Sequence, residues 1–527
     1  MNNRIITIFL AVTLLSFGLV ATACEHGLTE QPKPDVELTL INDLIAVNEA
    51  GGEFEVGYAL SGLDDEALVE ATGVEPWIEG VSLSPEALVF SVAANGGTEA
   101  REGRVELRYD GECCAALTVR QSAAPQHLDI FTTQTTADTP YRIPAICVTP
   151  DGTIICAADY RHSYKDIGVV ENGRIDLHAR RSGDHGATWG GVETIINGQG
   201  ASSPDFMNVG YGDPCIVADR ESGRVLLLSC AGNVSFQQGT RQRHQCIARF
   251  YSDDGGATWS APEDIAESIY SQFDGSPFGP VKSMFVASGR ILQSATVKVG
   301  SHYRLYCSVL VRDVNDNYTN YKNFVLYSDD FGGAWHILGG AAKAAVTKAD
   351  EAKVEELPDG SLLISSRTNG GRYYNIFRFK DVAAGSGSWQ TQVFSGAHNG
   401  GVEAKENSTN GEVMLLPAVR QSDGKHVHLL LQSLPMGPGR SSVGVYYKAF
   451  VSADDYSTPE RIAKDWEGVK QLTTLDAAYS TMTLQRDTRI GLLWEEATHC
   501  AGGDGYTIRY ASYAIEQITD NRYRLLL

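Results

Sequence analysis

Apolar and polar residues alternate in short runs along most of the chain, and Gly, Asp or Asn breaks each run. A period of two marks half-buried strands, and the breakers supply turns. Between Val36 and Ala123 the runs are Glu37–Val47, Glu53–Ala59, Leu88–Ala93, Arg104–Tyr109 and Ala115–Gln121, with turns at Gly51-Gly52, Gly96-Gly97 and Asp110-Gly111. This pattern predicts a small Ig-like β-sandwich over residues 36–123. Pro125 ends it. From 127 to 527 the unit is a short apolar run, a turn and a second run. The pairs are Ala145–Val148 with Thr153–Ala157, Pro214–Val217 with Val225–Ser229, Val281–Val286 with Arg290–Ser294, Ala352–Leu357 with Ser361–Ser365, and Tyr479–Leu484 with Arg489–Trp494. Helical periodicity is not sustained anywhere in this stretch.

One phrase recurs three times: SGDHGATW at Ser182–Trp189, SDDGGATW at Ser252–Trp259 and SDDFGGAW at Ser328–Trp335. The third copy has Ala334 where the others have Thr. Asp and Ser side chains can bond nearby backbone N–H groups, Gly accepts positive φ, and Trp plugs the turn onto an apolar layer. Repetition at similar spacing declares a repeat architecture. Four strands per blade, at about 65–70 residues each, divide the roughly 400 residues into about six blades. The predicted fold is all-β: a six-bladed β-propeller over 127–527 preceded by the sandwich. Such a ring gathers loops from distant blades at one end of its axis.

Net charge is −22, from 43 basic and 65 acidic residues. With no Lys/Arg run, a nucleic-acid partner is not expected, and any acid-binding site must be a local island of Arg. The first 24 residues read as an address: Arg4, an apolar run over Ile5–Val20, then Ala21-Thr22-Ala23-Cys24. They resemble a bacterial lipoprotein signal, which implies export and a lipid anchor on Cys24; a plain secretory signal cut after Ala23 is the other reading. Residues 25–35 are polar with two prolines and read as a linker. Nine further cysteines show no metal-ligand spacing, so neither a metal nor a cofactor is expected. Cys113 and Cys114 are adjacent, which in a regular strand places them on opposite faces.

Two resemblances sharpen this picture. GGEFEVGYAL, Trp77, FSVAANGGTEAREGRVELRY and LTVRQSA resemble the BACON domain of Bacteroidetes surface proteins. That implies either a spacer, the reading preferred here, or a glycan-binding module. Tyr141-Arg142-Ile143-Pro144 resembles the Arg-Ile-Pro signature of sialidases, glycoside hydrolase family 33. The stretch from Glu351 through Leu357-Pro358-Asp359-Gly360 to Arg367 is similar to that family's second signature. Gly439-Arg440 before Gly444-Val445-Tyr446-Tyr447, and Ala478-Tyr479-Ser480, resemble its third arginine and its tyrosine strand. The repeated phrases are similar to its Asp boxes. The resemblance implies sialylated glycans as substrates, with Arg142, Arg161, Arg367 and Arg440 on the sugar acid. It implies Tyr479 as nucleophile, Glu351 as its base and Asp166 as acid/base. Glu495 is implied as partner of Arg142, and Asp213 as a residue near the site. Asp159 and Asp176 are less well spaced alternatives to Asp166; Glu355 and Glu356 are alternatives to Glu351. Planar guanidinium forks suit a carboxylate. A neutral phenol is less repelled than a carboxylate by a carbon bearing a negative group, and sialidases are known for a Tyr nucleophile. A glycan-binding propeller without turnover, and trans-sialidase or anhydro-sugar-forming variants, remain the alternatives.

Overall fold

The computed structural model describes residues 37–61, 69–133, 140–163, 165–170, 173–316, 320–406, 409–499 and 505–526. The signal, Cys24 and the 25–35 linker lie outside the described residues. Strands dominate, as the alternation predicts. The longest described α-helices are single-turn pieces such as Ala266–Tyr270 and Pro459–Ala463.

The N-terminal part holds two four-stranded sheets. One contains Glu37–Leu40, Gly52–Ser61, Ala87–Val92 and Ile78–Leu83; the other contains Leu44–Val47, Glu112–Gln121, Arg101–Tyr109 and Val69–Gly73. Their inward residues, among them Val47, Leu88, Phe90, Val105, Leu107, Leu117 and Val119, form one apolar layer. The turn at Asp110-Gly111 closes the longest hairpin; both residues take positive φ, which suits the Asp-Gly pair.

Among the described residues six further, mainly antiparallel sheets follow in chain order. They begin with Tyr141–Val148, Tyr211–Ala218, Ser283–Val286, Ala352–Glu356, Val413–Arg420 and Ala477–Leu484. Each neighbouring pair shares a buried apolar cluster. Ile155 and Leu227 belong to one, Leu228 and Val309 to the next, then Tyr306 and Ile364, Tyr374 and Leu430, Leu431 and Leu492. A last cluster joins Leu493 of the sixth sheet to Ile146 and Cys156 of the first, so the sheets form a closed ring. The sixth sheet takes its outer strand, Leu128–Phe131, from the start of this region, paired with Thr507–Tyr513.

One expected hairpin is corrected. Ser283–Val286 and Leu292–Val299 do not pair with each other; both lie along His302–Arg312. Between them the chain leaves the sheet, and Gly289-Arg290 run parallel beside Cys215-Ile216 of the second sheet. Gly289 has φ +100°, and a Cβ there would meet Lys353 Nζ at 2.6 Å, so only glycine permits the detour.

The three repeated phrases are turns after the third strands of the first three sheets. In the first, Ser182 Oγ accepts from Gly186 N (2.9 Å), and Asp184 accepts from Thr188 N (2.9 Å) and Thr188 Oγ1 (2.5 Å). The second repeats this with Ser252, Asp254, Gly256 and Thr258. In the third, Asp330 accepts from Ala334 N, but Ala334 has no hydroxyl to add.

The two parts are docked. Gln421 Oε1 accepts from Ala46 N (2.6 Å) while its Nε2 donates to Ala46 O (2.7 Å), so one side-chain amide imitates a rung of a β-ladder. Asn48 N donates to Asn521 Oδ1, Ser122 to Glu516, and Arg524 to Leu44 O.

Candidate functional site

Strand Tyr141–Val148 loses register with its partner between Arg142 and Ala145. Ile143, a β-branched residue, sits at φ +55°, a strained backbone for such a side chain. Its N–H donates to Glu495 Oε1 (2.7 Å). The same carboxylate, fully buried, accepts from Arg142 Nε (2.7 Å), Arg142 Nη2 (3.3 Å) and Tyr479 N (3.1 Å). One side chain therefore fixes the Arg142 guanidinium and the start of the Tyr479 strand together. Tyr479 also sits in an irregularity, between Ala477 and Ser480. The ring of Tyr506 lies 5.1 Å from the Arg142 guanidinium carbon, in cation–π range.

The Tyr479 hydroxyl is the meeting point of two further elements. It donates to Glu351 Oε2 (2.9 Å), just before strand Ala352–Glu356, and accepts from Arg367 Nη1 (3.1 Å). Arg367 Nη1 also donates to Glu351 Oε2 (2.7 Å). Burial pushes the Glu351 carboxyl above its ordinary value, though Arg367 opposes this. Burial, then the Glu351 carboxylate, push the Tyr479 phenol well above 10. Phenol and carboxylate thus both hold protons more tightly than in water, across one short contact. Asp350 lines the same cavity, its Oδ2 3.8 Å from Arg367 Nε.

Arg440 comes from the loop before Val443–Phe450, and its carbonyl accepts from Ala477 N (2.9 Å), tying it to the Tyr479 strand. Arg142, Arg367, Arg440, Glu351, Tyr479, Asp166 and Asp213 all line one cavity of about 220 Å³. Phe236, Phe285, Ile167, Leu310 and Tyr321 add an apolar part to the lining, with Gln237 and Gln245.

Arg161 is not among the lining residues. It is buried, with Nη2 and Nε on Asp159 Oδ2 (2.7 and 3.0 Å) and Nη1 bonded to Asp166 Oδ1. Its guanidinium is engaged by carboxylates and stands beside Asp166. The Asp166 side chain is 73% exposed, and the Arg161 charge holds its carboxyl below the usual range; Arg142 and Arg440 add to this. Asp213, at φ +54° in another irregular strand start, donates its N–H to Asp159 Oδ1 (2.8 Å). Burial and the Asp159 charge push its carboxyl well up.

The alternatives named from sequence lie elsewhere. Asp159 sits beneath Arg161, and Asp176 binds Arg174 and His162. Glu355 pairs with Arg290, and Glu356 accepts from Ser294 and Ala295 N. Sequence reasoning missed Asp350, Tyr506, Gln245, Tyr321 and the apolar lining. Asp350 could have been noticed as the acidic neighbour of Glu351; the others carry no local signal.

A closed ring of antiparallel sheets, with an arginine-lined polar cavity, defines a propeller-like protein. The BNR repeat-like domain model matches residues 172–492, more than half of the chain, and the chain belongs to this family. It is 27% identical to a sialidase of Micromonospora viridifaciens over 389 residues, covering 71% of this chain and 51% of that one. A sialidase of Clostridium perfringens is 26% identical over 301 residues, covering 54% of this chain and 72% of the relative. The chain thus spans about half the length of the Micromonospora relative. Among solved structures, a Hadza microbial sialidase superposes with a TM-score of 0.58 at 20% identity, covering 82% of this chain and 77% of its own. An intramolecular trans-sialidase from Ruminococcus gnavus gives 0.55 at 19%, covering 74% and 98%. These two likenesses are of fold.

Proposed function

We propose that the chain is an exo-α-sialidase that releases terminal α-linked sialic acid from glycans with retention of configuration. The observation that carries this is the Tyr479 hydroxyl, bonded to Glu351 and Arg367 inside a cavity shared with Arg142 and Arg440. Three guanidinium forks offer the sugar carboxylate planar pairs of donors. Tyr479 Oη then attacks the anomeric carbon as Glu351 takes the phenol proton, which a buried phenol cannot shed unaided. Asp166 protonates the departing glycosidic oxygen. In the second half it takes a proton from water, which attacks the same carbon; the bond to Tyr479 Oη breaks, and Glu351 returns the proton to that oxygen. Two inversions give retention. A protein that only bound sialylated glycans would need the arginines but not a phenol paired to a buried carboxylate.

The architecture proposed with it is a six-bladed propeller over 127–527, with Asp-box turns, preceded by an Ig-like, BACON-like domain over 36–123 acting as a spacer. Export, with a lipid anchor on Cys24, is proposed from the first 24 residues and places the substrate outside the cytoplasm. The test is release of fluorophore from an aryl sialoside, with product NMR on sialyllactose isomers. Wild-type release with initial retention is expected, and Tyr479→Phe is expected to lose at least about 10²-fold in kcat. Near-normal turnover by Tyr479→Phe excludes it as nucleophile, and no release by the wild type sinks the enzymatic reading.

A further inference from the structure

In a regular strand Cys113 and Cys114 would face opposite ways. The ladder between Arg101–Tyr109 and Glu112–Gln121 does not stay regular. Leu107 pairs with Ala115, but Arg108 pairs with Cys113 and Tyr109 with Glu112, so Cys114 is an extra residue in a β-bulge. The faces follow from the neighbours. Ala115 packs against the inner apolar layer, so Cys114, next to it, faces out. Leu107 is in the inner layer, so Arg108 faces out, where it ion-pairs with Glu106. Cys113, across the ladder from Arg108, shares that outer face. Both thiols are exposed.

Their contacts agree. Cys113 Sγ reaches forward to Ala115 O (3.6 Å), and Cys114 Sγ reaches back to Glu112 O (3.5 Å). Adjacent on one face, each thiol makes only a weak contact to a carbonyl of its own strand. The other six described cysteines are buried. The pair sits at the tip of the hairpin. Gln121 and Ser122, beside the docking contacts to the ring, are at the far end of the strand, about 25 Å away at strand rise.

We propose that Cys113 and Cys114 form a vicinal dithiol site for a soft, thiophilic centre that accepts two sulfurs, of which a trivalent organoarsenical is the simplest member. Soft sulfur ligands select such centres, and exposure leaves these two thiols open to reagents. The reaction is a condensation without redox change. Two S–H bonds and the arsenic–oxygen bond break, two As–S bonds form, and the protons and oxygen leave as one water.

The test uses the full chain, reduced under native conditions and treated with phenylarsine oxide, with intact-mass measurement. About one adduct per chain is expected, stable to excess monothiol and released by ethanedithiol, falling below about a tenth of an adduct in Cys113→Ser and in Cys114→Ser. Thermal melts equal to wild type establish that these exposed variants are folded. No adduct on the wild type overturns the proposal. So does an adduct retained by either variant, which would place it on other cysteines.

Discussion

Asp166 is exposed at the mouth of the cavity, yet three guanidiniums favour its ionised form. An acid must hold its proton until the leaving oxygen needs it. A bound sugar carboxylate between Arg142 and Arg440 would add one negative charge beside Asp166, partly offsetting that positive field, and so raise the carboxyl of Asp166 in the complex. With Asp166 as the proposed acid the sign follows: activity should fall as pH rises through the Asp166 value, and later in the complex than in the free protein. The alkaline limb of kcat is expected at higher pH than that of kcat/KM, and Asp166→Asn should abolish both limbs on activated aryl glycosides. Coincident limbs would show that the ligand does not relieve Asp166. The residues of this site were unevenly legible. Arg142, Glu351, Arg367, Arg440 and Tyr479 each lie in a short marked phrase. Phe236, Phe285 and Tyr321 do not: Phe236 and Tyr321 come from loops and Phe285 from a strand, none with a motif, and they reach the cavity only through the ring. The surroundings of Arg161 are illegible for a different reason: its sequence neighbours do not say which carboxylate claims it, and Asp159, two residues back on the same strand face, does.

At the scale of the element, three strand starts share a device. Tyr141–Val148, Tyr211–Ala218 and Ala477–Leu484 each lose register where Arg142, Asp213 and Tyr479 stand. Bulges re-aim side chains, and here Arg142, Asp213 and Tyr479, each at such an irregularity, line the cavity. The alternation that located these strands could not show the bulges, since a one-residue irregularity leaves the apolar pattern almost intact. The Ser and Asp bonds of the repeated turns to backbone N–H are legible because they are local; the Thr hydroxyl bonds to Asp184 and Asp254 add to them. Thr188 and Thr258 hydroxyls are the leading cause that holds Asp184 and Asp254 down to about 2. A depressed carboxyl stabilises the fold above its unfolded value, and that contribution is lost as pH falls from about 4 toward 2. Thr188→Ala with Thr258→Ala should lower the melting temperature at neutral pH and flatten its decline from about pH 4 to pH 2. A double variant with an unchanged melting curve at every pH would show that these hydroxyls hold nothing.

Across the whole molecule, the N-terminal sheets and the ring are joined by few but specific bonds. Gln421→Ala would leave both Ala46 N and Ala46 O without that partner at a largely buried junction. The cost expected is about 1–3 kcal/mol, read by urea unfolding. A midpoint unchanged at equal slope would mean that the other docking bonds suffice. The ring itself closes on a strand from its own beginning: Phe131 pairs with Ile508. During synthesis this segment leaves the ribosome about 380 residues before its partner exists, so the nascent chain carries an unpaired strand edge almost to the end. Premature termination would accordingly yield sticky, self-associating fragments rather than a smaller working protein, and rapid proteolytic clearance of such fragments would protect the cell.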